Sequence, residues 1–159
     1  MNSKKITFSN YEIDSIVKNL DSPDSILCTD NPERRLPISA LWVMETNLDK
    51  MRDIARKIAK EREKIEMPFA DDEHSSLVEE NGQMTRKIKD QYVEEFQKQI
   101  VELLDIQNEI EIGLVDVNVL ERFSVTPRDF RSIKFMLENP KEETLKDVEN
   151  VNEIAEVVS

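Results

Sequence analysis

Hydrophobic residues recur at alternating steps of three and four between residues 37 and 66. They are Leu41, Met44, Leu48, Met51, Ala55 and Ile58. Arg62 interrupts the pattern, and Ile65 resumes it. Pro37 suits the first position of a helix, because it lacks a backbone donor that would go unpaired there. Pro68 follows the last position that continues the pattern. The spacing therefore predicts a long helix over 37–66, with an apolar stripe that packs lengthwise on another helix.

A second stripe with helical spacing lies between residues 84 and 107. Its members are Ile88, Tyr92, Phe96, Ile100 and Leu103 or Leu104. The preceding segment, 67–83, contains an acidic run and Asn81–Gly82, which together predict a loop. Two long helices joined by a loop pack naturally side by side in opposite directions. We therefore expect an antiparallel helical hairpin.

The N-terminal residues carry the signals of a strand followed by a helix. Residues 5–8 predict a short strand, and Ser9 precedes Glu12 by three positions, which is the spacing of a capping box. The helix that follows is expected to end near Asp21. Two prolines and several Ser, Asp and Asn residues then predict a loop over 21–36.

After Asn108 the hydrophobic pattern changes from helical spacing to strict alternation, which is typical of a strand. The alternation runs through Ile110 and Ile112, and Gly113 marks a bulge or bend. A lone strand cannot satisfy its backbone hydrogen bonds. We therefore expect this segment to pair with the strand near Ile6.

The C-terminal part of the chain begins with a helix start. Thr126 suits the N-cap, Pro127 the first position and Asp129 the third, so a helix is predicted to follow. The chain is thus expected to form one compact domain at 1–139 and an acidic tail at 140–159, weakly helical or disordered. The expected fold is mainly α with minor β: a long antiparallel helical hairpin, a small two-stranded sheet and short helices.

The composition adds a strong negative charge to this picture. The chain has 159 residues, 38% hydrophobic and 35% charged, with only 2 glycines, which disfavours a many-stranded fold. A net charge of −12 repels phosphate backbones, so direct nucleic-acid binding is disfavoured. The charge suits a partner with a basic surface, or alternatively only keeps the protein in solution. Without a membrane-length apolar stretch or a signal peptide, we expect a cytoplasmic protein without membrane contact.

Residues with catalytic or metal-binding chemistry are few. The single histidine, His74, follows Asp71, Asp72 and Glu73, but metal sites usually gather their ligands from separated positions. We interpret this run as a flexible acidic loop. Cys28 is the only cysteine and is interpreted as a free structural thiol. The sequence has no glycine-rich phosphate loop, so we expect a non-enzymatic protein without cofactor or metal.

Three residues near the start of the long helix are candidates for binding. Arg34 and Arg35 precede Trp42, the only tryptophan, and both residue types are enriched at binding hot spots. Trp42 adjoins the apolar stripe without belonging to it. It either covers the helical hairpin as part of the core or faces a partner.

The end of the same helix is basic, because residues 50–66 hold seven basic and four acidic side chains. The candidate binding residues there are Arg52, Arg56 and Lys60. Cations suit a helix C-terminus, and the acidic loop that begins at Asp71 can neutralise them. Alternatively, they form a contact stripe for a phosphate-bearing ligand or an acidic partner.

Five pieces of the sequence, taken in order, resemble small proteins of unassigned function from phages and prophages of Gram-positive bacteria. The pieces are Lys5–Asn10, Leu36–Pro37, Glu109–Ile112, Val125–Phe130 and Phe135–Glu138. The resemblance covers about residues 4–139 and implies a phage-encoded protein that acts in the host cytoplasm. It supplies no catalytic residues to carry over.

These observations lead to three hypotheses about function. The first is a non-catalytic phage-type interaction protein that binds and modulates or inhibits a host protein, such as a defence or nucleic-acid enzyme. The second is a structural or assembly accessory of the virion, forming a homo-oligomer through the helical hairpin. The third is a protein that sequesters a small phosphorylated ligand through Arg34, Arg35 or the basic helix end.

Overall fold

The computed structural model describes residues 2–139, and the predicted acidic tail at 140–159 lies outside the described residues. Helix makes up the largest share, accompanied by two-stranded sheets, so the predicted mainly α fold with minor β is confirmed. In chain order the elements are β1 (Ser3–Ser9), α1 (Asn10–Leu20), α2 (Ile38–Glu66), β2 (Ser75–Glu80), β3 (Gln83–Ile88), α3 (Asp90–Leu104), β4 (Gln107–Gly113), β5 (Val115–Asp116), α4 (Pro127–Ile133) and β6 (Leu137–Glu138).

The helices at the start of the chain follow their sequence signals closely. The Glu12 backbone N–H donates to Ser9 Oγ at 3.1 Å, and the Glu12 carboxylate accepts from the Ser9 backbone N–H at 3.4 Å, so the capping box opens α1 as predicted. The helix α2 has 29 residues and begins one residue after Pro37. Its apolar stripe is buried at Met44, Leu48 and Met51, as the spacing predicts.

The segment between α2 and α3 differs from the prediction of a loop followed by a long helix. The strands β2 and β3 pair antiparallel across a two-residue turn, Asn81–Gly82. Both turn residues have positive φ, 52° and 78°, which is the conformation that Asn-Gly supplies in a tight hairpin. The predicted helix over 84–107 is therefore wrong at its start, and α3 has only 15 residues. Side-by-side packing of two long helices stays a prediction.

The strand pair β1–β4 joins the two segments that the sequence assigned to one sheet. The Asn10 N–H donates to the Ile106 carbonyl at 2.8 Å, and the Leu114 N–H donates to the Asn2 carbonyl at 2.9 Å. Because the partners run in opposite order, the pair is antiparallel. The short strands β5 and β6 pair in parallel and were not predicted.

The described residues form two compact units, each made of separate stretches of chain. The first unit contains residues 2–5, 19–48 and 111–139, and the second contains residues 6–18 and 49–110. In the first unit, the buried Asn47 amide donates to the Gly113 carbonyl and accepts from its N–H, both at 2.8 Å, where β4 ends. The single compact domain at 1–139 stays a prediction.

Candidate binding surfaces

The helix α3 separates a buried stripe from an exposed charged face. Leu103 is buried, and Tyr92, Phe96 and Ile100 are half-buried on the stripe predicted from the sequence. The Phe96 ring lies edge-on to Phe69, with ring centroids 5.4 Å apart. These contacts fix which side of α3 faces away from the second unit's core.

Five exposed carboxylates occupy the other side of α3, and we call them the α3 acidic face. They are Asp90, Glu94, Glu95, Glu102 and Asp105. At about 100° per residue they fall within an arc of about 140°. None of them forms an ion pair with any residue in the range 2–139 that the structure describes. Lys98 is the one cation within this arc of the helix.

The α3 acidic face also carries exposed hydrophobic side chains. Val101 is 54% exposed and lies on the arc between Asp90 and Glu94, and Ile106, just past the helix end, is 51% exposed. Apolar side chains ringed by charged ones are typical of protein interfaces, where a dry centre is surrounded by a polar rim. The arrangement can therefore contact a basic surface through charge and through apolar burial.

The charges of α2 are arranged differently, because most of its basic residues pair within the helix itself. The Arg52 guanidinium lies 2.7 Å from the Asp49 carboxylate, and the Arg56 guanidinium lies 2.5 Å from that of Asp53. Two further pairs join Arg62 to Glu66 and Lys64 to Glu61. Four of the seven basic residues at 50–66 are therefore neutralised within the helix itself. Of the predicted binding residues in this stretch, Lys60 is exposed and has no ion pair with a described residue.

Trp42 lies on the surface of the first unit. Its side chain is 74% exposed, and Ile38, one helical turn earlier, is 79% exposed. The core interpretation of Trp42 is therefore wrong. Arg35 is exposed shortly before Ile38, and its guanidinium forms no ion pair among residues 2–139.

Arg34 is directed away from this surface and towards α4. Its Nη2 donates to both carboxylate oxygens of Asp129, at 2.9 and 3.0 Å. Asp129 also completes the capping box of α4, accepting from the Thr126 backbone N–H while Thr126 Oγ1 accepts from the Asp129 N–H. The sequence predicted this helix start but not that Arg34 would bond to it.

The acidic run before β2, which the sequence predicts to be a loop, forms a turn. The Asp71 carboxylate accepts from the His74 backbone N–H at 3.0 Å and lies 2.6 Å from His74 Nδ1. The hydrogen bond from the His74 side chain, followed by that from its backbone, lowers the pKa of Asp71. Tyr92 packs on the His74 ring, with centroids 4.5 Å apart. Although Asp71, Glu73 and His74 lie close enough to share a metal ion, these contacts already use Asp71 and one ring nitrogen.

Comparisons with known proteins gave no match, whether with protein-family models, curated proteins or solved structures. Within residues 2–139, no helix has the length and hydropathy needed to cross a membrane.

Proposed function

We propose that the protein is a non-catalytic interaction protein whose α3 acidic face binds a basic surface of another protein. One observation carries this proposal: five exposed carboxylates on one side of α3 lack ion pairs within the described chain, whereas the carboxylates of α2 are largely paired. Because no neighbouring cation cancels the negative charge of an unpaired carboxylate, that charge can attract a basic partner. The overall charge of −12 adds long-range attraction for a basic protein.

The number of these carboxylates along the helix suggests what kind of basic surface would fit. From Asp90 to Asp105 the helix rises about 22 Å, at about 1.5 Å per residue. One nucleic-acid strand carries about six phosphates over that distance, and a duplex about twice as many. Five carboxylates therefore match a single strand better than a duplex. We propose a partner whose basic groove normally contacts one strand, which agrees with the expected host nucleic-acid or defence enzyme.

The test is affinity capture from host lysate with an α3 variant of reduced charge. In this variant Glu94, Glu95 and Glu102 become Gln, which removes three charges at little cost in helix propensity. The matched control changes Glu63, Glu79 and Glu80 to Gln, since these are exposed in the same unit without ion pairs to described residues. We expect one basic protein to be retained by the wild type and the control at low salt, lost from the α3 variant, and released at high salt. Equal retention by all three proteins would refute the assignment of the surface.

A second candidate function is self-association in virion assembly, and the exposed Ile38–Trp42 pair favours it. Two large apolar side chains one turn apart form a contact that a second copy of the chain can bury. We expect the mass measured by light scattering to rise with concentration for the wild type and to stay at that of the monomer for Trp42→Ala. A wild-type monomer at every concentration would exclude this function.

A further inference from the structure

A polar cavity of about 540 Å³ lies in the first unit, between the end of α1, the loop that follows it, and α4. Its volume falls in the range of small-molecule sites, which are usually lined by hydrophobic and aromatic side chains. This cavity is different, because none of its ten lining residues has a purely hydrocarbon side chain. The side chains of the lining therefore offer several hydrogen-bonding groups to a polar ligand.

Three arginines against two carboxylates give the cavity lining a net positive charge, although the chain as a whole is acidic. Arg34, Arg128 and Arg131 line it together with two carboxylates, Asp24 and Asp129. Asp129 is engaged by Arg34, so its charge is already compensated. Arg128 and Arg131 are exposed and form no ion pair within residues 2–139. Two guanidinium groups are therefore available to an anion, and guanidinium matches the geometry of phosphate oxygens.

Further donors in the lining are free to bind an anion. The Ser25 hydroxyl accepts from the Leu27 N–H at 3.0 Å, and the Thr126 hydroxyl accepts from the Asp129 N–H at 3.1 Å. Because each oxygen is used as an acceptor, its own proton remains available for donation. An incoming acceptor therefore meets hydroxyl donors as well as the two guanidinium groups.

We propose that this cavity binds a sugar phosphate, that is, a small phosphate monoester whose sugar carries several hydroxyl groups. Arg128 and Arg131 bind the phosphate, while the Asp24 carboxylate and the Asn19 side-chain carbonyl accept hydrogen bonds from hydroxyl groups of the sugar. A nucleotide fits less well, because none of the lining residues is aromatic and the base would have no ring to stack on. Inorganic phosphate alone would leave most of the volume unfilled. The site lies in the first unit and does not depend on the α3 acidic face.

Isothermal titration calorimetry on the full chain tests the site with ribose 5-phosphate, ribose and adenosine monophosphate. We expect binding of ribose 5-phosphate, weaker binding of the nucleotide and no binding of ribose. Arg128→Gln combined with Arg131→Gln should weaken ribose 5-phosphate at least about tenfold, because two charge-assisted contacts are lost. The control Arg122→Gln removes an exposed arginine of the same unit outside the cavity and should leave the affinity unchanged.

Asp24→Asn separates recognition of the phosphate from recognition of the sugar. Removing the carboxylate takes away a negative charge that repels both phosphates and an acceptor that only the sugar uses, so ribose 5-phosphate should lose affinity relative to inorganic phosphate. Circular dichroism checks that each variant is folded. The proposal is overturned if millimolar ribose 5-phosphate gives no heat, if ribose binds as well, or if the double arginine variant binds like the wild type.

Discussion

Asp129 shows how one buried carboxylate can hold two distant segments of chain together. It is only 6% exposed, it caps α4 through Thr126, and it accepts from Arg34, which lies 95 residues earlier in the sequence. Water substitutes poorly in either role, because little of the carboxylate is exposed. Losing it removes a helix cap and leaves a guanidinium largely enclosed without its counter-charge.

We predict that Asp129→Ala lowers the free energy of unfolding by about 3 kcal/mol, combining the lost cap with the lost charge-assisted bonds. The control, Asp30→Ala, removes an exposed carboxylate from the loop between α1 and α2. It should change the free energy of unfolding by less than about 0.5 kcal/mol. Urea unfolding followed by circular dichroism measures both. A loss below 1 kcal/mol for Asp129→Ala would contradict the role assigned to this residue.

The turn made by Asp71 and His74 predicts a dependence of stability on pH. The pKa of Asp71 is lowered in the folded protein by its bonds to His74, so the ionised carboxylate stabilises the fold. This stabilisation is complete above the ordinary aspartate pKa of about 3.9 and is lost as the pH falls through the lower folded pKa.

Asp71→Asn should therefore be less stable than the wild type at pH 5, and the difference should shrink as the pH falls below 4. Denaturant unfolding at several pH values measures the difference, with Glu73→Gln as a control for removing a neighbouring charge. A difference that stays constant or grows at low pH would contradict the assignment.

At the scale of elements, the hairpin β2–β3 marks where sequence patterns were insufficient. Ile88 continues the helical stripe of α3, so residues 84–88 fitted a helix as well as a strand. Both hairpin strands are largely exposed, which leaves no clear alternation of hydrophobic and polar residues. The deciding signal was Asn81–Gly82, interpreted as a loop although it is also the strongest short-range sign of a hairpin. By contrast, α1, α2 and the β1–β4 pair had periodic or capping signals without a competing interpretation.

Gly82→Ala tests the turn that closes this hairpin. A Cβ at Gly82 would meet no atom within 4 Å, so any loss arises from its φ of +78°. We predict a loss of about 1 kcal/mol in local hairpin stability, and a smaller one for Gly82→Asn, because asparagine tolerates this conformation. Hydrogen exchange of the β2 and β3 amides measures both variants. Equal protection in the alanine variant and the wild type would contradict the assigned turn geometry.

At the scale of the whole molecule, the sequence indicated net charge but not which charges are paired. The candidates Arg52 and Arg56 lie one turn from Asp49 and Asp53, and the folded helix joins them. The α3 carboxylates have no such partners in the described chain, and this difference emerges only from side-chain positions. Likewise, Arg34 and Arg128 are far apart in sequence and line one cavity only after folding.

Zero-length carbodiimide cross-linking of the captured complex, read by mass spectrometry, shows directly whether the α3 acidic face contacts the partner. This reagent joins a carboxylate to a lysine amine only when the two are in contact. We predict that partner lysines attach to Glu94, Glu95 and Glu102 on the α3 acidic face. Attachment instead to Glu63, Glu79 or Glu80, with no partner lysine attached to α3, would contradict binding through the α3 acidic face.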